Sequence, residues 1–449
     1  MRTVLSILAV VLAAVLLPAA VGVPRGLAAA RARYAPLPAD TAEVPAAPER
    51  RHDPAKPTAV VVVGAEDAEV SDVLAPFETL AASGSFNVYT VAPVRRPLPL
   101  TGGLHLVPDL TFADLDARLG GPPDVVVVPA LPDVERPSAE PVTAWLQQQA
   151  ADGALVLGVC SGARVLASAG LLDGREATSH WARIGDFEAP YPEVTWVRGT
   201  RYVDDGDVIT TGGILSAVDG ALRVIERLVD DDTARRAADA VGWRHYSPGE
   251  PAAIPVRRLG PDAVLLPLNA AYRRARVGVV LSDDVGELEL ASAFDTYTGQ
   301  SLATRTVALS ADGGAVVSRH GLVFVPVASL RSAADSLERV LVPGAAAART
   351  RDPALAAAVA EHGLAPEHLH TQAGFPFEAT LRDLARSVDV PTARWTAKVL
   401  ELPLDDVRLS GRAWPVEVVV APLLLALAGV VALVGLVRAL RGRSRGAAS

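Results

Sequence analysis

Aliphatic runs alternate with helix-period segments over most of the chain. The runs 59–64 (AVVVVG), 87–93 (NVYTVAP), 124–130 (DVVVVPA), 154–160 (ALVLGVC) and 207–213 (DVITTGG) have the length and continuity of strands buried on both faces. Between them, 70–82, 138–151, 161–172 and 214–229 place apolar residues at helical spacing. Strands and helices in alternation predict an α/β domain over 58–232, with a doubly wound parallel sheet covered on both sides. Two further runs, 3–23 and 416–437, are too long for strands and carry a single charge, Glu417. Each is long enough to cross a bilayer.

A second α/β pattern begins at 276 and repeats the first. Residues 63–78 (VGAEDAEVSDVLAPFE) align without a gap on 280–295 (VLSDDVGELELASAFD), which pairs Asp72 with Glu289, Phe77 with Phe294 and Glu78 with Asp295. Shorter matches follow in the same order: 89–92 on 305–308, 102–108 on 320–326 and 126–130 on 340–344. Ordered matches predict duplication of one unit. Beyond Gly344 the second copy has no strand ending in Gly-x-Cys-x-Gly, so it reads as a degenerate lobe that kept the scaffold, with Glu289 left inert. The predicted organisation is a signal peptide or signal anchor at 1–24, a Pro-rich tether at 25–57 and the first domain at 58–232. A linker follows at 233–275, then the degenerate repeat at 276–412, a transmembrane helix at 415–437 and a basic tail at 438–449.

Charge and composition narrow the partners. The net charge is −9 and no basic stripe with interleaved aromatics is present, so nucleic acid is not an expected partner. Arg438, Arg441, Arg443 and Arg445 place the tail in the cytoplasm by the positive-inside rule and the middle of the chain outside the cytoplasmic membrane. Arg25, Arg31 and Arg33 pull weakly the other way. A single cysteine excludes an intrachain disulfide and a cysteine-based zinc cluster. His362, His368 and His370 lack a carboxylate cluster at metal-binding spacing and read as a solvated loop, so no metal is expected. No phosphate loop of Walker type is present; Gly102-Gly103 and Gly212-Gly213 read as turns, and no cofactor is expected. Trp243 and Tyr246 are expected to pack between the lobes.

The lone cysteine stands where a strand, LVLGVC, runs directly into a helix, SGARVLASAG. A sharp strand-to-helix turn lifts its central side chain above the carboxyl edge of the sheet, where doubly wound folds bind ligands. Gly158 and Gly162 relieve the crowding of such a turn. The free N–H groups of Ser161 and Gly162 then favour a thiolate at Cys160 and can hold a developing oxyanion. The alternative at this point is a buried, inert cysteine.

The stretch GVCSGARVLASAGLLDGREATSHW (158–181), followed by YVDDGDVITTGG and a helix with Asp219, resembles the ThiJ/PfpI family. Within it, the pattern is similar to the isonitrile hydratase branch and to the amidase-like domain of AraC-type regulators. The resemblance covers 58–232 and, weakly, 276–345. It implies a flavodoxin-like sheet, Cys160 as nucleophile, Asp72 as the acid approaching the sulfur from the first helix, and His180 as a proton carrier. Ala130-Leu131 stands where many relatives carry Gly-Gly, so a backbone oxyanion pocket there is reshaped. Ala182 stands where the amidotransferase cousins carry a carboxylate, so a peptidase or glutaminase triad is incomplete. The implied function is a hydratase or lyase acting on a small-molecule electrophile, an isonitrile or a 2-oxoaldehyde; the alternative is a redox or ligand-sensing ectodomain using the same thiol. Family members pair, which implies a homodimer or an intrachain pair of the two lobes.

Overall fold

The five aliphatic runs form the centre of one sheet. In the computed structural model, which describes residues 2–37, 45, 48, 50–249, 253–273 and 275–446, seven strands lie side by side. Their order is Tyr202–Asp205, Val208–Thr211, Leu155–Gly158, Val125–Val128, Thr58–Val62, Asn87–Ala92 and Leu110–Thr111. Only the outermost pair, a hairpin through Asp204 to Asp207, is antiparallel. The central valines have no solvent exposure, as the two-sided cover requires. Helices Val70–Ala82, Ser216–Leu228 and Asp231–Val241 pack together, and Glu140–Ala151 packs on Gly162–Ser168. The chain moves from Thr58–Val62 outward to Asn87–Ala92 and then returns across it to Val125–Val128. That reversal creates the crevice at the strands' carboxyl ends.

The second pattern folds as a sheet too, here all parallel, ordered Ala328–Ser329, Arg305–Ser310, Arg276–Val280, Arg339–Val342 and Pro366–His368. The two lobes meet in reciprocal contacts. Ser71 donates its hydroxyl proton to the Asp295 carboxylate, and the Leu288 N–H donates to the Glu78 carboxylate. In the alignment above, Ser71 corresponds to Leu288 and Glu78 to Asp295, so each contact is the other with the lobes exchanged. Between the lobes a small sheet runs Val316–Val317, Val323–Phe324, Leu104–Val107, Leu98–Leu100, in which Leu106 pairs antiparallel with Phe324. Those two residues are also equivalents, which places an approximate two-fold axis at their pairing.

Three sequence expectations change. The first apolar helix runs on from Arg2 to Ala32, through Pro18 and Pro24, so the start of the expected tether is helical; most of residues 38–49 lies outside the described part. The expected linker carries helices Asp231–Val241 and Leu265–Tyr272. The first of these belongs to the first lobe: its Asp230 side chain accepts from the Thr233 N–H just as Asp389 accepts from the Thr392 N–H in the second lobe. The histidines are not all in a solvated loop, because His368 ends a strand and His370 is buried. Trp243 does pack across the lobes, its ring 4.9 Å from that of Phe375, whereas Tyr246 bonds to Glu226 of its own lobe.

The terminal helices Arg2–Ala32 and Val416–Gly446 lie against each other. Both contain a segment long and apolar enough to cross a membrane, Ile7–Ala32 and Val416–Ala439. Gly429 is a forced glycine: a methyl group there would lie 2.3 Å from the Ala13 carbonyl oxygen.

Candidate active site

The strand Leu155–Gly158 ends one residue before the turn, and the next helix begins at Gly162. Cys160 sits between them with φ +54, a left-handed conformation that costs a non-glycine residue about 1–3 kcal/mol. The strain is held by neighbours on all sides. The Cys160 N–H donates to Thr211 Oγ1 at 3.3 Å, and its carbonyl accepts from Ser179 Oγ at 2.7 Å. Gly162 is required by space, since a Cβ would lie 2.0 Å from the Val128 carbonyl oxygen. At Gly158 a Cβ would press on the tip of Leu166, at 2.7 Å, and touch the Ala163 backbone nitrogen at 3.4 Å, a softer constraint.

Cys160, Ser161, Ala130, Leu131 and His180 line one cavity of about 390 Å³. Asp72 stands behind it, fully buried, with one carboxylate oxygen accepting from the Ala130 N–H at 3.0 Å. Its other oxygen has no partner of hydrogen-bond geometry, while the Cys160 thiol lies close enough to favour the ionised carboxyl. Burial, and then the charge of Glu69, push the Asp72 carboxyl well above the usual carboxylate range.

The thiol does not have the electrostatics expected of it. Cys160 is only 6% exposed, and burial, followed by the charges of Asp72 and Glu69, raises its pKa well above that of a free cysteine. The Ser161 N–H points at the sulfur and opposes this, but does not win. A helix of seven residues has a weak dipole, and desolvation of a thiolate is the larger effect.

Of the four expected backbone donors, two are spent inside the protein. The Gly162 N–H donates to the Val159 carbonyl at 2.6 Å, and the Ala130 N–H is the one held by Asp72. Ser161 remains, and the Leu131 N–H makes no hydrogen bond among the described residues. His180 reaches the cavity with both ring nitrogens engaged: Nε2 donates to the Val399 carbonyl at 2.9 Å, and Nδ1 accepts from the Ala182 N–H at 3.2 Å. It is therefore a neutral wall residue, its pKa lowered by burial, and not a free proton carrier.

Glu69 was missed by the sequence reading. It stands at the N-cap position of the helix that carries Asp72 without a side-chain capping bond, lines the cavity, and accepts from Gln300 Nε2 at 3.0 Å and from the Tyr34 hydroxyl at 3.4 Å. Gln300 comes from the second lobe and Tyr34 from the segment just after the first terminal helix. No local motif announces either, because both reach the site through tertiary folding. The sequence signal available for Glu69 was its place three residues before Asp72 at a helix start.

In the second lobe the same position holds a histidine. Val126 pairs with Val156 in the first sheet and Val340, its equivalent, with Pro366 in the second. Counting four residues onward from each reaches Cys160 and His370. His370 Nδ1 accepts from the Gly344 N–H at 2.9 Å, and Glu289 is held by Arg319 at 3.0 Å and by the Ala345 N–H at 2.6 Å.

A strained cysteine on a strand-to-helix elbow beside a buried carboxylate, on a doubly wound sheet, defines a class of cysteine-dependent α/β proteins. The model of the DJ-1/PfpI family matches residues 58–227. An isonitrile hydratase from Pseudomonas putida is 31% identical over 222 residues, 48% of this chain and 89% of that protein. The chain belongs to the DJ-1/PfpI family. The transcriptional regulator GlxA of Rhizobium meliloti is 38% identical over 101 residues, 22% of this chain and 30% of the regulator. A crystal structure of a DJ-1 superfamily mutant from Salmonella typhimurium is 28% identical with a TM-score of 0.35, covering 41% of this chain and 97% of that one.

Proposed function

We propose that the chain is a membrane-anchored, cysteine-dependent enzyme that adds water to a small carbon electrophile of the isonitrile or 2-oxoaldehyde class. The observation that carries it is the placement of Cys160, Asp72 and the open N–H groups of Ser161 and Leu131 around one small cavity. Similarity to an isonitrile hydratase over most of that enzyme's length points to the reaction class.

Buried together, the thiol and the carboxylate exchange a proton without changing their net charge, so the desolvation that raises both pKa values does not oppose the transfer. For an isonitrile, the Cys160 sulfur bonds to the terminal carbon, and the thiol proton reaches that carbon through Asp72, giving a thioimidate. Water then adds to the carbon and a proton goes to the nitrogen. The C–S bond breaks, its electrons return to sulfur with a proton, and an N-formyl amine leaves. Ser161 and Leu131 N–H groups favour the oxyanion of the water adduct. The burial of the thiol weighs against the redox-sensor alternative, since sensor cysteines are accessible.

The two lobes act as an intrachain pair derived by duplication, which the reciprocal Ser71–Asp295 and Glu78–Leu288 contacts support. Packing of Arg2–Ala32 on Leu265–Tyr272, with the Tyr272 hydroxyl donating to the Pro18 carbonyl, supports an uncleaved anchor. Both ends of the chain then lie on the cytoplasmic side and the lobes outside it.

Turnover of a panel of isonitriles and 2-oxoaldehydes by the full chain in detergent tests the reaction. Activity falls by roughly a thousandfold or more in Cys160→Ala and strongly in Asp72→Asn. Turnover that survives in Cys160→Ala, or none on the panel, removes the proposal.

A further inference from the structure

A larger cavity, about 590 Å³, lies between the lobes on the other side of the helix Val390–Leu400. Five basic side chains line it, Arg201, His245, Arg257, Arg394 and Lys398, against one acid, Asp405. Arg201 is 2% exposed and its Nη1 makes no hydrogen bond. Its nearest carboxylate, Asp219, stands 3.4 Å from that nitrogen outside hydrogen-bond geometry, and its guanidinium stacks over the Trp243 ring at 5.0 Å. The buried ion pair thus leaves one donor on Arg201 and one acceptor, Asp219 Oδ2, without a hydrogen bond, a costly arrangement in a native interior.

The other cations are compensated to different degrees, and the charge of buried Glu401 acts on Arg257. Arg257 donates to the Lys398 carbonyl and pairs with no carboxylate among the described residues; neither does Arg394. Lys398 is the exception, held by Asp262 at 2.8 Å. His245 is driven toward its neutral form first by burial and then by Arg201 and Arg244, a sign of the positive field in this space. Ile254 and Leu404 supply apolar wall. Planar guanidiniums converging on a partly apolar cavity match a phosphate with a hydrophobic body.

We infer that this cavity is a binding site for an organic phosphate, with Arg201, Arg257 and Arg394 holding the phosphate oxygens. The site is separate from the Cys160 cavity and does not depend on the proposed reaction. The phosphate comes either from a soluble monoester or from a phospholipid headgroup.

Isothermal titration of the full chain in neutral-lipid nanodiscs, at fixed ionic strength in chloride, tests it with inorganic phosphate, phenyl phosphate and benzoate. Phenyl phosphate is expected to bind one saturable site more tightly than inorganic phosphate. Affinity should fall tenfold or more in Arg257→Gln and in Arg394→Gln, which avoid the fully buried Arg201. It should be unchanged in Arg349→Gln, an exposed arginine elsewhere, and in Cys160→Ala, which separates this site from the catalytic one. Nanodiscs containing phosphatidylglycerol distinguish the sources: loss of phenyl phosphate binding assigns a lipid headgroup, and unchanged binding a soluble ester. No saturable phosphate binding, binding indifferent to both arginine variants, or benzoate binding in place of phosphate overturns the inference.

Discussion

A methyl group added at Gly162 would sit 2.0 Å from the Val128 carbonyl oxygen, on backbone that cannot swing aside. Gly162→Ala should therefore destabilise the protein by about 3 kcal/mol or more, read as a drop in the denaturant midpoint. Gly121→Ala, where a Cβ meets open space, is the control and should be near neutral. The thiol beside this turn makes a second prediction. Because burial and then the Asp72 charge raise the Cys160 pKa, its alkylation rate should climb with pH to a midpoint above the free-cysteine value of about 8.5. Asp72→Asn removes the negative neighbour and should move that midpoint down. A midpoint below about 8 in the wild type would show the thiolate to be favoured, contrary to the geometry.

At the scale of elements, helices Val70–Ala82 and Glu287–Phe294 carry the contact between lobes. Glu78 is buried there among Glu287, Glu289, Arg319 and His320. Burial, and then the charge of Glu287, push its pKa up to about 7. A carboxyl raised this way contributes fully below its unfolded value and loses that contribution as pH climbs to about 7. His320 has the same sign: burial lowers its pKa, but the Glu287 bond together with the charges of Glu287 and Glu78 raises it on balance, and that contribution is lost as pH rises through the raised value. Thermal stability should thus decline between pH 5 and pH 8, by about 3 kcal/mol at most from Glu78. Glu78→Gln keeps an acceptor for the Leu288 N–H and should flatten much of that decline. The five aliphatic strands, the elbow and the place of Asp72 were legible in the sequence because each rests on local pattern: an aliphatic run, a flanking glycine, a position counted from Pro76. Glu69's companions Gln300 and Tyr34 were not, since they arrive from 231 and 35 residues away. The high pKa of Cys160 was also hidden, because burial is set by side chains that only the fold assembles.

Paired as proposed, the two lobes use their pairing surface within one molecule. Leu106 meets Phe324 across the approximate axis, and the helices on either side of it are already covered. The chain should therefore run as a single copy in detergent by light scattering, with no dimer through that face. The ordered matches between the two halves run in the sequence up to Gly344. Past it, the second lobe runs from its short strand Pro366–His368 almost directly into Pro376–Ser387, omitting the elbow helix and hairpin of the first lobe, and the offset of 214 to 218 residues seen in the earlier matches no longer holds. Register across the sheet, not spacing along the chain, identifies His370 as the counterpart of Cys160.

The last turn of Val390–Leu400 touches both cavities. The Lys398 carbonyl accepts from Arg257 on one side and from the Trp181 indole on the other, and the next carbonyl, that of Val399, holds His180. If an anion drawing on Arg257 alters the hold on His180, then substrate at Cys160 must alter the anion's affinity by the same factor.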